Sequence, residues 1–303
     1  MRTYRYLHLD VFTDRPFEGN QLAVFPEPQG LSPAEMQTIS REMNFSECTF
    51  IFPAEGNADS RLRIFTPGEE LPMAGHPTIG STFALAAEGV IAPGRTDFVF
   101  ALGVGPTPVS LEWNGGRLSF AWMTQPLPTF GATIEDRAAL ASAAGIAADQ
   151  LAPGLPAQVV GCGVPFLFVP LASRGAVDAA SLDRKALSRC LRDAGVDEIP
   201  VFFFTTDAAE RAGNETVYSR MLAPGFGIPE DPATGGASGP LGCYLLHRRI
   251  VSADAARAIV SLQGAAMGRP SWIHVAIDTD DGEISRVRVG GRSVIIGRGE
   301  LDV

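Results

Sequence analysis

The chain contains one pattern twice, once in each half. Residues 63–80 and 220–235 each read arginine, two apolar residues, a third residue, Pro-Gly, a short loop and then His or Asp before Pro-x-x-Gly. A single long repeat in 303 residues predicts two similar halves rather than a solenoid. Between the copies, His76 is replaced by Asp231. A base and an acid at matching points suggest an active site in the cleft between the halves.

Length, composition and charge restrict the class of protein. With 303 residues, of which 46% are hydrophobic, the chain can build two domains with cores of their own. The net charge of −10 and the lack of a basic run argue against nucleic acid and anionic membranes as partners. The N-terminus lacks a signal-peptide core and no apolar run reaches membrane-spanning length, so we expect a cytoplasmic protein.

The residue types also predict chemistry without a cofactor. The four cysteines are scattered with no CxxC, and the histidines lack the mutual spacing of a metal site. The only lysine, Lys185, falls on the charged face of a helical pattern, where it cannot serve as a Schiff-base lysine. Neither a GxGxxG after a strand nor a P-loop is present. We therefore expect catalysis by side chains alone.

The local patterns predict strands and helices in the same order in both halves. Ser32, Pro33 and Glu35 mark the start of a helix, and Glu47 begins a strand. Two segments are apolar almost all round, which is typical of buried helices: 78–89, and 241–246 after a glycine-rich entry. Within the second entry, Pro240 should kink or delay the helix. Further predicted strands are 4–12, 21–25, 61–65, 97–122 with a hairpin at 114–116, and two or three within 271–303.

These elements predict an α+β fold of two similar, pseudo-symmetric domains. Each would be a curved, mainly antiparallel sheet or barrel around one buried central helix. We expect the chain to cross between halves in the proline-containing segment 125–131. The N-terminal domain would comprise 1–125 plus 290–303, and the C-terminal domain 126–289.

Glu47 is the best candidate for a proton shuttle. It lies at a helix-to-strand junction among apolar residues, which favour a protonated carboxyl near neutral pH, where it can act as acid and as base. From the local sequence alone, a surface turn glutamate is the favoured interpretation. Glu198 occupies a similar place in the second half, so both could be structural.

The two Pro-x-x-Gly turns supply the other candidates. Histidine is a poor N-cap, so capping does not explain His76, whereas Asp231 could be an N-cap or a site residue. Backbone N–H groups at such helix starts bind anions, and a substrate carboxylate is one such anion. Exposed amides at Gly235 and Gly236 fit that role.

Cys48 beside Glu47 offers a third possibility. A thiol nucleophile could use His76 as its base. A cysteine on a strand is more often buried filler, and we favour that interpretation.

Together these residues resemble the PhzF-like family of phenazine biosynthesis, which shares the diaminopimelate epimerase-like fold. The resemblance covers nearly the whole chain and depends on these segments: 10–13, 17–20, 45–50, 74–80, 230–235 and the tail 289–301. It implies a cofactor-independent isomerase, commonly a homodimer, in which Glu47 moves a proton within the substrate and His76 and Asp231 assist. By the same resemblance the substrate-binding residues are Asn20, Gly75, Gly80, Gly235 and Gly236. The family often has Ser at the place of Gly236, so this chain lacks a hydroxyl there.

Three hypotheses follow for the function. The first is an isomerase that shifts a proton and a double bond in a small amino or carboxylic acid. The second is a racemase or epimerase with two acid/base cysteines, against which stands the lack of a cysteine in either Pro-x-x-Gly loop. The third is a non-catalytic binder of small carboxylates on the same scaffold. Proton exchange in D₂O separates the three.

Overall fold

The computed structural model describes residues 1–54, 56–209, 211 and 213–303. It divides into two compact units, Met1–Gln125 with Arg288–Val303, and Pro126–Val287. The boundaries expected from the sequence were 125/126 and 289/290. The assignment of each unit as a diaminopimelate epimerase-like domain stays a prediction.

The first unit begins with strands that surround one buried helix. In chain order its elements are β1 (Thr3–Val11), β2 (Asn20–Phe25), α1 (Pro33–Met43), β3 (Glu47–Phe52), β4 (Ser60–Phe65), β5 (Glu70–Leu71), α2 (Gly75–Ala87), β6 (Asp97–Leu102), β7 (Gly105–Asn114) and β8 (Arg117–Gln125).

The second unit contains the next strands and helices. They are β9 (Thr129–Ile134), α3 (Arg137–Ala143), β10 (Ala157–Gly161), β11 (Pro165–Pro170), α4 (Arg174–Ala179), α5 (Arg184–Asp193), β12 (Val201–Thr205), β13 (Val217–Ala223), β14 (Ile228–Asp231), α6 (Gly235–His247), β15 (Ile259–Gln263), β16 (Ser271–Asp280) and β17 (Glu283–Gly291). The chain reaches the first unit again within β17 and ends with β18 (Ser293–Asp302).

Strand pairing follows one scheme in both units. In the first, β18, β1 and β2 are antiparallel, β2–β3 is parallel, β3–β4 antiparallel, β4–β6 parallel, and β6–β7–β8 antiparallel. In the second, β9, β10 and β11 are antiparallel, β11–β12 is parallel, β12–β13 antiparallel, β13–β15 parallel, and β15–β16 antiparallel. The predicted mainly antiparallel α+β architecture is confirmed, and the repeat extends to the order of pairing.

Each unit has one central helix of 13 residues, α2 or α6. Both are apolar and buried through most of their length, as predicted. Glycine lets each helix approach its sheet closely. A Cβ on Gly80 would lie 2.5 Å from Leu22 Cδ2, and one on Gly242 would lie 2.7 Å from Val275 Cγ1.

Local signals place several boundaries correctly. Ser32 forms the predicted capping box with Glu35, and β3 runs from Glu47 to Phe52 as expected. The hairpin between β7 and β8 turns through Gly115 and Gly116, both at positive φ, as the predicted two-residue loop requires.

The expectation for Pro240 was wrong in one respect. Helix α6 begins at Gly235 and contains Pro240, so the proline does not delay the start. A proline removes one amide from the helical ladder. Burial of α6 against the sheet outweighs that local preference, because tertiary packing supplies most helix stability.

Candidate active site

Strand register determines where Glu47 points. Glu47 pairs with Leu22 across the parallel β2–β3 pair, and Thr49 lies on the same face of β3 because side chains alternate along a strand. Thr49 Oγ1 accepts a hydrogen bond of 3.0 Å from Ser81 Oγ on α2. Glu47 therefore points toward the central helix and is only 8% exposed. It is not the surface turn residue of the alternative interpretation.

His76 meets Glu47 on that face. It is the second residue of α2 and is buried. Its Nε2 lies 3.1 Å from Glu47 Oε2, and its Nδ1 lies 3.2 Å from Nδ2 of the buried Asn20. The structure thus brings three residues named from the sequence into contact within the first unit.

Burial keeps the imidazole neutral. Desolvation lowers the pKa of His76 from 6.5 to about 3, and a backbone hydrogen bond with Gln21 acts in the opposite direction. The 3.1 Å contact between Nε2 and Oε2 lacks hydrogen-bond geometry, and the roles of the two ring nitrogens depend on the tautomer. A neutral imidazole has one donor and one acceptor nitrogen and adds no charge beside the carboxyl.

In the second unit, Asp231 lies at the end of β14 and is buried. It is not the N-cap of α6, because that position is Thr234. Its Oδ2 accepts a 2.6 Å hydrogen bond from Thr234 Oγ1. The capping interpretation of Asp231 was therefore wrong.

The expected equivalence of His76 and Asp231 was also wrong. His76 is the second residue of its helix, whereas Asp231 precedes its helix, and Gly236 holds the second position of α6. The Pro-x-x-Gly motif does not mark the same point of the two helices. Pro77 is the third residue of α2, whereas Pro232 lies before the start of α6.

Glu198 is not a counterpart of Glu47. It precedes β12, and its carboxylate binds Arg184 Nε and Nη2 at 2.8 and 3.1 Å. This partly exposed ion pair lowers the pKa of Glu198. The two glutamates therefore differ in both placement and partner.

The predicted anion-binding amides fall into two groups. Gly75 and Gly235 are first in their helices and Gly236 is second. Gly80 is the sixth residue of α2, so its amide lies within the helical ladder. The absence of a side chain at Gly80 allows close contact with Leu22 and Val11, and its substrate-binding role stays a prediction.

The central helices differ from the peripheral ones in their caps. A Ser or Asp side chain accepts a first-turn amide in each of α1, α3, α4 and α5. Ala74 and Thr234, the N-cap residues of α2 and α6, make no such side-chain bond. The amides predicted to hold a carboxylate are therefore not covered by a cap side chain.

The cysteines do not fit a nucleophile. All four are buried, and burial raises the pKa of Cys48 to about 12. This agrees with the favoured interpretation of Cys48 as filler. Within residues 1–54, 56–209, 211 and 213–303 no group of His, Cys, Asp and Glu could hold a metal ion. Lys185 is exposed on α5, as predicted.

Sequence reasoning missed two hydrogen-bonding partners in the second unit, Gln263 and Thr234. The Gln263 side chain, fully buried on β15, binds Thr234 and the backbone of Asp231. Neither residue lies in a pattern that links it to the other across the intervening chain. The cap position of Thr234 became visible only with the true start of α6.

A second missed relationship has a signal in the sequence, the arginine with which each copy of the repeat begins. The repeated arginines each bind a glutamate with two bonds: Arg63 to Glu70 at 2.7 and 2.6 Å, and Arg220 to Glu230 at 2.9 and 2.8 Å. Each pair joins two neighbouring strands, β4 and β5 in the first unit and β13 and β14 in the second, of which the later one precedes the central helix.

Comparison with known proteins shows to which family the chain belongs. A family model described as phenazine biosynthesis-like protein matches residues 9–299. The chain belongs to the phenazine biosynthesis-like protein family. The resemblance stated from the motifs is thereby confirmed.

Members of this family include a similar enzyme and similar structures. The trans-2,3-dihydro-3-hydroxyanthranilate isomerase of Pseudomonas fluorescens is 35% identical over 301 residues, covering 98% of this chain and 99% of that protein. A predicted epimerase from Pseudomonas aeruginosa has a TM-score of 0.81 at 32% identity, covering 98% and 99% of the two chains. A PhzF family protein from Bacillus anthracis has a TM-score of 0.88 at 23% identity over the full length of both, which supports the fold.

These comparisons confirm the prediction of an isomerase. Several curated members of the family carry that name, at about one third identity over almost the whole chain. Among the helices of the described residues, none is long and apolar enough to cross a membrane.

Proposed function

We propose that this protein is a cofactor-independent isomerase that moves a proton, and with it a double bond, within a small amino or carboxylic acid. One observation supports this most: the buried Glu47 carboxyl, 3.1 Å from a neutral imidazole. A buried carboxyl beside a group that can donate or accept suits proton transfer in both directions.

Glu47 is the acid/base in this proposal. Its carboxylate takes a proton from a substrate carbon, the C–H electron pair enters a new double bond, and the original double bond shifts. The carboxylic acid then returns the proton to another carbon on the same face. Positioned general acid–base groups contribute about 10²–10⁴-fold to such rates.

His76 and Asn20 hold the acid/base in position. The ring contacts Glu47 through Nε2 while Asn20 contacts Nδ1, so ring rotation would disturb both contacts. Because the imidazole remains neutral, it does not trap Glu47 as half of a permanent ion pair.

The second unit contributes substrate recognition. Asp231 is assigned to orient the substrate and stabilise developing charge. The first-turn amides at Gly75, Gly235 and Gly236 are assigned to the substrate carboxylate, because helix starts favour anions. The proposed assembly is a homodimer, which sedimentation velocity would test.

Incubation with trans-2,3-dihydro-3-hydroxyanthranilate in D₂O, followed by proton NMR, tests the reaction class. This probe is the compound for which the Pseudomonas fluorescens relative is named. Deuterium uptake together with a moved double bond supports the proposal. Uptake with inverted configuration indicates an epimerase, and binding with neither indicates a binder.

A two-cysteine racemase has less support. Such an enzyme needs accessible thiols that lose their proton readily. The buried thiols of Cys48 and Cys190 have raised pKa values, which oppose that role.

A further inference from the structure

The buried amide of Gln263 makes all its described hydrogen bonds to the turn that carries Asp231. Its Oε1 accepts from the Thr234 amide at 3.0 Å. Its Nε2 donates to the Asp231 carbonyl at 2.8 Å and to Thr234 Oγ1 at 2.9 Å. Both hydrogens of Nε2 are thus used within one turn.

These partners leave one orientation for the Gln263 amide. If the amide were reversed, its oxygen would face the Asp231 carbonyl and its NH₂ group would face the Thr234 amide. Acceptor would then meet acceptor and donor would meet donor. The backbone of the turn therefore determines the position of Nε2.

The amide in turn determines the direction of the Thr234 hydroxyl. Because Oγ1 accepts from Gln263, its single hydrogen is available for another acceptor, and Asp231 Oδ2 lies 2.6 Å away. A hydroxyl bound to a carboxylate at that distance is a strong, charge-assisted hydrogen bond. Gln263 therefore donates to Thr234, and Thr234 donates to the Asp231 carboxylate.

The Thr234 side chain does not cap helix α6. Threonine at an N-cap usually accepts a hydrogen bond from a first-turn amide. Thr234 makes no side-chain cap bond, although it is the N-cap of α6. A residue that breaks a local rule in favour of a buried carboxylate is characteristic of a functional site.

We propose that Thr234 and Gln263 are positioning residues that fix the orientation of the Asp231 carboxylate for the reaction. The inference rests on the proposed function, in which Asp231 contacts the substrate. Thr234 and Gln263 act through Asp231 and need no contact with the substrate.

A double-mutant cycle on turnover of trans-2,3-dihydro-3-hydroxyanthranilate tests this relationship. We expect Thr234→Val to lower kcat by about tenfold or more, and Thr234→Ser to retain most of it, because only valine removes the hydroxyl. In an Asp231→Asn background, Thr234→Val should cost much less, since the carboxylate is already absent. The exposed Thr38→Val controls for the same substitution outside the site.

A purely structural role would give a different pattern. Equal losses from Thr234→Val in the wild-type and Asp231→Asn backgrounds would overturn the inference. Full activity of Thr234→Val in the folded protein would overturn it as well.

Amide hydrogen exchange separates this inference from the proposed function. We expect Gln263→Ala to speed exchange in residues 231–236, where Gln263 binds the backbone. If exchange there is unchanged, Gln263 does not hold the turn, and its positioning role is wrong. If exchange rises but Asp231→Asn keeps wild-type turnover, the catalytic assignment of Asp231 fails, and the positioning role fails with it.

Discussion

The imidazole Nε2 of His76 lies 3.1 Å from the carboxylate Oε2 of Glu47, and both side chains are buried. The contact joins the start of β3 to the first turn of α2, two elements that are separated along the chain by β4 and β5. Asn20 on β2 completes the group through Nδ1. This arrangement is the basis for proposing Glu47 as the acid/base.

The neutral His76 predicts a dependence of stability on pH. Its pKa falls from 6.5 in the unfolded chain to about 3 in the fold, so between these values the unfolded state binds one more proton. The stabilisation is complete above pH 6.5 and decreases as pH falls toward 3, by about 1.4 kcal/mol per pH unit.

Urea unfolding between pH 7 and pH 4 measures this dependence. We expect His76→Gln to reduce the slope of unfolding free energy against pH by about 1.4 kcal/mol per pH unit, which corresponds to one bound proton. His247→Gln, at an exposed position, controls for loss of an imidazole. An unchanged slope in His76→Gln would show that the histidine is not buried in its neutral form.

Two helix glycines should respond to alanine in opposite directions. A Cβ at Gly80 would lie 2.5 Å from Leu22 Cδ2 and 2.8 Å from Val11 Cγ2, so Gly80→Ala should destabilise the fold by about 1–3 kcal/mol. A Cβ at Gly236 meets only Phe166 Cζ, at 3.8 Å, so Gly236→Ala should stabilise by about 0.5–1 kcal/mol through helix propensity. Denaturant unfolding of both variants measures the difference, and a loss of stability in each would contradict it.

The repeated arginine–glutamate pairs should differ in their contributions. The side chains of Arg220 and Glu230 are 12% and 17% exposed, while Glu70, the partner of Arg63, is 41% exposed. Solvent screens the first-unit pair more strongly, so we expect Glu230→Gln to cost about 1.5–3 kcal/mol and Glu70→Gln at most about 1 kcal/mol. Unfolding free energies at low and high salt test this, and the reverse order would be evidence against it.

Much of the first unit could be predicted from its sequence. The capping residues Ser32 and Glu35 determine the start of α1 locally, and the alternation of β3 begins at Glu47. The sequence predicted that Glu47 and His76 belong to one site, but not that they are in contact. Its geometry depends on the parallel register of β2 with β3, which no local pattern encodes.

The second unit shows where such reasoning fails. The Asp-Pro motif suggested a cap at Asp231, but the N-cap is Thr234 and the helix begins at Gly235. Gln263 reaches this turn from β15, a contact between distant parts of the chain that has no sequence motif. Matching of Glu198 with Glu47 failed because residues before a strand are not constrained by its register.

The rate of deuterium uptake from D₂O into trans-2,3-dihydro-3-hydroxyanthranilate, compared between Glu47→Gln and Glu198→Gln, tests the central claim most directly. Both substitutions remove one carboxylate and keep the size of the side chain. We predict that Glu47→Gln slows uptake by about 10²-fold or more while Glu198→Gln, at the partly exposed ion pair, retains the wild-type rate. Uptake at the wild-type rate by folded Glu47→Gln would contradict the account.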